Sequence, residues 1–140
     1  MGVKGIIVSN HGGRQLDAGP SCLEVLPHIV KAVKGSECQV LLDSGVRSGS
    51  DVVKALALGA SAILIGRSVS TYSLYAHTRT HTRARAHAHR PVLWGLSMGG
   101  AKGVVAVVNT LLEEVENTLG LCGSTLEECG QWLLKPDSKM

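Results

Sequence analysis

Phenylalanine is absent from the 140 residues, and tyrosine and tryptophan contribute two each. Any core must therefore be built from Val, Leu, Ile and Ala. No run of about 18 or more apolar residues occurs, and on that ground a membrane span is ruled out. Prolines number only four against 17 glycines, with no Gly-X-Y period, which excludes collagen. A hydrophobic share of 44% with 18% charged residues makes a disordered chain an unsuitable description. The four cysteines, Cys22, Cys38, Cys122 and Cys129, form no C-x-x-C pair, so no zinc site is suggested and no metal is expected. Four free thiols in a reducing compartment is the reading that follows. A charged start followed by a long apolar stretch is also lacking, so no secretory signal is expected.

What is present is an alternation of short apolar runs with amphipathic segments. Residues 5–9, 39–43 and 61–65 are short, apolar and bounded by polar or glycine-rich sequence, as strands are. None alternates strictly, which predicts parallel strands buried on both faces. Leu23, Leu26, Val30 and Val33 recur at helical spacing, with Pro27 marking a first turn or a kink. The spacing predicts a second helix over 50–58, with Ser50 as N-cap, Asp51 in its first turn and Gly59 as its stop. A third, over 101–119, has Val104, Val107, Val108, Leu111, Leu112, Val115 and Leu119 on its apolar face, opposite Glu113, Glu114 and Glu116. The order β-α-β-α-β, a break and then α predicts an α/β fold with a parallel sheet.

The break has an unusual pattern. From Tyr75 to His89, odd positions hold Tyr, His or Arg and even positions hold Ala or Thr. Codons for the first set can read pyrimidine–purine–pyrimidine and for the second purine–pyrimidine–purine, so the segment fits one alternating CA/CG-type repeat. Arg67-Ser68-Val69 can be encoded with a splice-donor-like sequence and His89-Arg90 with an acceptor-like one. Residues 68–90 are therefore expected to be a translated simple repeat interrupting a single domain, and their removal joins Gly66-Arg67 to Pro91. The alternatives are a metal site from His77, His81, His87 and His89, or a nucleic-acid site from the arginines. Both are disfavoured because His and Arg occur only where the alternation permits, and only Tyr72 and Tyr75 could stack on a base. The segment holds four arginines and no acid, while the whole chain carries +3, so the remainder carries −1. The basic pI of about 8.8 belongs to the break. Neither a nucleic-acid nor a membrane partner is expected.

The densest polar cluster follows the first strand: Ser9-Asn10-His11-Gly12-Gly13-Arg14-Gln15-Leu16-Asp17. Polar residues at the C-terminal end of a barrel strand stand where barrel active sites are built. A histidine there can act as a base near neutral pH, and the planar fork of Arg14 suits a carboxylate. The plainer reading is a strand-to-helix loop whose His11 and Arg14 bond to backbone. The second strand ends in Asp43-Ser44-Gly45-Val46-Arg47 and the third in Gly66-Arg67. Two consecutive loops, each with glycine and arginine, suit a phosphate, and barrels often carry their phosphate site after the last two strands.

The run Ser9 to Gln15 matches at all seven positions the S-N-H-G-[AG]-R-Q signature of FMN-dependent 2-hydroxy-acid oxidases, the glycolate oxidase-like enzymes. The resemblance continues through Leu16-Asp17, Asp43 to Arg47, Lys54 to Ala60, Gly66-Arg67 and Pro91 to Leu96, covering most of the chain outside 68–90. It implies a TIM (β/α)₈ barrel, of which this chain supplies about the last three βα units. It implies FMN as cofactor, small (S)-2-hydroxy acids and O₂ as substrates, 2-oxo acids and H₂O₂ as products, and homo-oligomeric full-length relatives. His11 is implied as the proton acceptor and, with Arg14, as a substrate-binding residue. Ser9, Asp43, Ser44, Gly45, Val46, Arg47, Gly66 and Arg67 are implied around the flavin, its ribityl chain and its phosphate. Ser44 stands where many members have glycine.

A complete barrel takes roughly 250 residues, so a fragment, inactive by itself, is expected. The alternative is a non-catalytic βαβ remnant that binds phosphate or FMN. The C-terminal Ser138-Lys139-Met140 resembles the S-K-L peroxisomal address and points to the peroxisome, the cytoplasm being the default otherwise.

Overall fold

A computed structural model describes residues 2–16, 18–66 and 91–133. Three parallel strands, β1 (Gly5–Val8), β2 (Gln39–Asp43) and β3 (Ala62–Leu64), lie side by side in that order. Gly5 pairs with Gln39 and Val8 with Leu42; Leu41 pairs with Ala62 and Asp43 with Leu64. The connections are α1 (Cys22–Ala32) and α2 (Gly49–Ala57). The three expected strands are present, each shortened by no more than two residues.

Both helices cover the same face of the sheet. Val8, Val40 and Leu42 pack there with Cys22 and Leu26 of α1 and Ala55 of α2, and Val46 and Ala60 close the cluster. Strand order that advances 1-2-3 with every helix on one side is the progression of a closed (β/α) barrel. A doubly wound sheet would reverse direction and place helices on both sides. The expectation of burial on both faces is not met in the described residues. Ile7 is 57% exposed and Leu64 38% exposed, because no described element covers the face to which Ile7, Leu41 and Leu64 belong. That face is the one a complete barrel fills with side chains from its other strands.

The helix boundaries follow local chemistry with one correction. Ser21 caps α1 in a reciprocal box with Glu24: the Glu24 N–H donates to Ser21 Oγ at 3.3 Å and the Ser21 N–H to Glu24 Oε2 at 2.9 Å. Pro27 lies inside the helix rather than at its first turn. For α2 the N-cap is Ser48, not Ser50, and its side chain makes no capping bond. The Glu114 carboxylate caps the helix instead, and Asp51 secures the residue before the N-cap. Asp51 reaches back to the Arg47 N–H at 3.1 Å, and Glu114 accepts the Gly49 N–H at 2.8 Å. Gly59 ends the helix region with φ 101°, where a Cβ would also press on Val30.

Helix α3 (Pro91–Cys122) contains a sharp bend at Gly100, whose φ 56° and ψ −140° are not helical. The bend brings the backbones of Gly95 and Gly103 into contact. The part after Gly100 includes the expected 101–119 helix and lies against α2. Leu111 is buried, whereas Leu112 on the expected apolar face is 54% exposed. Glu114 is half-buried toward α2 instead of opposite the packed face, drawn there by the N-terminal amide it caps. By length and hydropathy Val92–Cys122 is apolar enough to cross a bilayer, so composition does not exclude a span as expected from run length alone. The last described element, α4 (Leu126–Leu133), packs on α2 through a backbone contact between Gly130 and Ala57.

Candidate active site at the C-terminal ends of the strands

Parallel pairing puts the segments after β1, β2 and β3 at one end of the sheet, so Ser9–Arg14, Asp43–Arg47 and Gly66 are neighbours. The chain leaves β1 in a tight turn, His11–Gly13, with φ of 57°, 68° and 71° at His11, Gly12 and Gly13. Two glycines take this left-handed path without strain; His11 takes it with a side chain. Asn10 closes the turn, its Oδ1 accepting the Gly13 N–H at 3.1 Å.

Asp43, the last residue of β2, is the hub of the site. Its Oδ2 accepts the hydroxyl protons of both Ser9 and Ser44, the latter at 3.0 Å. With both protons committed there, the 3.3 Å approach of the two hydroxyl oxygens is a packing contact. Each hydroxyl then offers its lone pairs to the His11 turn. Ser9 Oγ accepts the His11 N–H at 3.2 Å, and Ser44 Oγ accepts the Gly12 N–H at 2.9 Å. The carboxylate of β2 thus sets the turn that follows β1, through two serines. Asp43 Oδ1 has no protein partner among the described residues.

The His11 and Arg14 side chains are exposed and belong to no ion pair among the described residues. Arg47 is exposed likewise, and among the described residues its backbone N–H alone is engaged, by Asp51. Gly45 has φ 84°, and a Cβ built on it or on Gly66 would meet nothing within 4 Å. A ligand can therefore lie directly against both glycines. The Val46 side chain points the other way, 5% exposed in the core, so only its backbone can face a ligand. Arg67 and Asp17 lie outside the described residues, as do residues 68–90 and the C-terminal tripeptide. Beneath the turn sits Cys22, buried and close to the Asn10 backbone. Burial pushes its thiol up and the charge of Asp43 adds to this, while the Asn10 contact opposes it. Burial and a raised thiol pKa both disfavour the thiolate that a nucleophile requires. Among the described residues no group of three or more His, Cys, Asp or Glu gathers to hold a metal.

A guanidinium and two open glycines suit a phosphate, and the spare carboxylate oxygen can accept from a polyhydroxyl chain at the same strand ends. The residues present therefore fit FMN. The sequence assigns Ser44 to the cofactor and gives Asn10 no role; the structure shows the side chains of both bonded to the His11 turn. Glu114 was missed, because its partner amide is distant in sequence.

An arc of a (β/α)₈ barrel with two open, glycine-containing loops beside a His/Arg turn defines a segment of the barrel-enzyme class. The profile of the FMN-dependent dehydrogenase family matches residues 1–86 and 84–135, and the chain belongs to that family, whose cofactor is FMN. The 2-hydroxyacid oxidase of Dictyostelium discoideum is 46% identical over 124 residues, covering 89% of this chain and 26% of that protein. A peroxisomal (S)-2-hydroxyacid oxidase of Arabidopsis thaliana, GLO3, is 46% identical over 122 residues, covering 87% and 27%. The crystal structure of mandelate oxidase with benzoyl-formic acid superposes with a TM-score of 0.64 at 45% identity, covering 87% of this chain and 29% of that one. The chain spans about a quarter of the length of the curated relatives it matches.

Proposed function

We propose that this chain is the part of a 2-hydroxy-acid oxidase that carries the proton acceptor, the substrate-carboxylate site and much of the FMN site. The reaction is oxidation of an (S)-2-hydroxy acid to the 2-oxo acid, with O₂ reduced to H₂O₂. Two electrons and two protons leave the substrate and both reach oxygen. The observation that carries this reading is the His11 turn held by Ser9 and Ser44 on Asp43, next to the open Gly45 and Gly66.

Arg14 pairs with the substrate carboxylate and fixes its orientation. His11 takes the proton of the 2-hydroxyl on its imidazole. Asp43 Oδ1 and Ser9 bind toward the ribityl hydroxyls and ring; the backbone of Ser44 to Val46, with Arg47, Gly66 and Arg67, holds the phosphate end. FMN, when bound, supplies the two-electron acceptor. The resemblance also supports homo-oligomeric assembly, and the formal charge of −1 outside residues 68–90 speaks against a nucleic-acid partner. Ser138-Lys139-Met140 serves as a peroxisomal address, a reading supported by the name of the Arabidopsis thaliana relative. Residues 68–90 interrupt the 1–140 domain as translated repeat; the two family matches meet inside that segment, at 84–86.

A chimera tests the function. The Dictyostelium discoideum relative receives residues 1–67 joined to 91–140 in place of its matching segment. It is expected to hold FMN and to consume O₂ with glycolate or a longer 2-hydroxy acid. His11→Ala in it is expected to lose about 100-fold or more in kcat with FMN retained. A folded, flavin-loaded chimera that oxidises none of these acids overturns the reading. For the 140-residue chain alone, weak or no FMN binding and no turnover are expected, because the described sheet has one uncovered face. FMN binding without O₂ consumption by the chain alone would instead favour a non-catalytic phosphate-binding remnant.

A further inference from the structure

Ser44 occupies a backbone position that disfavours it. Its φ of 78° lies in the left-handed region, where a Cβ crowds the backbone and glycine is the relaxed choice. The side chain that incurs this cost makes two bonds that glycine cannot. Its Oγ accepts the Gly12 N–H at 2.9 Å and donates to Asp43 Oδ2 at 3.0 Å. Gly12 lies in the middle of a turn with three consecutive positive φ values, whose internal bonds among the described residues run from Gly13 to Asn10. Ser9 anchors the start of that turn through the His11 N–H, and Ser44 anchors its centre.

We propose that Ser44 is a positioning residue for His11: its hydroxyl is a strut that holds the His11–Gly13 turn against the end of β2. Backbone relaxation is given up for that strut. The importance of His11 rests on the reading above; the strut itself does not.

The two contributions of Ser44 can be separated in the 140-residue chain. Ser44→Gly removes the strut and relaxes the backbone. Ser44→Ala removes the strut and keeps the strained φ. Ser44→Thr keeps the hydroxyl and adds strain through its branched Cβ. Amide hydrogen exchange at Gly12, followed by NMR, reads the strut; thermal unfolding reads the strain. Ser44→Gly is expected to leave Tm unchanged or higher while Gly12 exchanges about tenfold faster. Ser44→Ala is expected to lower Tm with the same faster exchange, and Ser44→Thr to lower Tm with Gly12 protection kept. Unchanged Gly12 protection in Ser44→Gly overturns the proposal. So does a fall in Tm in that variant with protection lost at all amides together, which is the signature of a merely structural residue. The chimera result does not enter this comparison, so failure of the strut and failure of the oxidase reading are distinguishable.

Discussion

The Gly49 amide donates to Glu114 Oε2 at 2.8 Å, so a side chain of α3 caps the N-terminus of α2 across 65 positions of sequence. α2 follows directly on the loop of Asp43–Arg47, and Asp51 in its first turn accepts the Arg47 N–H. The cap therefore supports the site from behind. Glu114→Ala leaves that amide without its acceptor and is expected to cost about 1 kcal/mol in stability. Glu114→Gln keeps an acceptor oxygen and loses only the charge that complements the helix end, so it is expected to cost a few tenths of a kcal/mol. Chemical denaturation of the three proteins checks the order.

This pair also shows where sequence reasoning stops. Strand positions were legible because short apolar runs bounded by glycine and polar residues need no partner to be recognised. The Ser9–Arg14 and Asp43–Arg47 clusters were legible because their chemistry is contiguous in sequence. The start of α2 was not, since Ser48, Ser50 and Asp51 offer similar local signals and the deciding carboxylate comes from Glu114. Ser44 and Val46 were counted together as cofactor residues. Only the backbone path, left-handed at Ser44, reveals that one side chain turns to the His11 turn and the other into the core. Burial of both sheet faces was expected from the apolar runs, but a run reports what a face can bury and not whether an element covers it.

Packing divides sharply along the chain. Leu26 is completely buried between α1 and the sheet, whereas Leu121 near the end of α3 is 91% exposed. Leu26→Ala is expected to cost about 2–5 kcal/mol through lost burial and the cavity left behind. Leu121→Ala is expected to change stability by less than about 0.5 kcal/mol. Denaturation midpoints of the two variants against the parent chain measure the contrast.

The thiols differ in the same way. Cys22 and Cys129 are buried, Cys38 is half-buried and Cys122 is exposed. Alkylation of the native chain, mapped by mass spectrometry, is expected to label Cys122 first, then Cys38, with Cys22 and Cys129 protected until unfolding. Burial, reinforced by Asp43, also raises the Cys22 thiol above its usual 9.0. The folded state then retains a proton that the unfolded chain has released, so stability falls as pH rises past that value. Cys22→Ala is expected to make the stability profile shallower above it, which pH-dependent thermal unfolding reads.

Residues 68–90 carry a further expectation. The bonds that organise the site join Ser9, His11, Gly12, Asp43 and Ser44, and the bond that joins α2 to α3 runs from Gly49 to Glu114. If the segment is translated repeat, its removal takes away four arginines and no acid and lowers the formal charge from +3 to −1. A chain with Arg67 joined to Pro91 is therefore expected to migrate as an acidic protein, to keep its helical circular dichroism per molecule and to keep the Gly49 amide protected from exchange. Transcripts from the source tissue are expected to include a species lacking the tract. A message retaining it as the only species, together with loss of Gly49 protection in the shortened chain, would make the segment part of the fold.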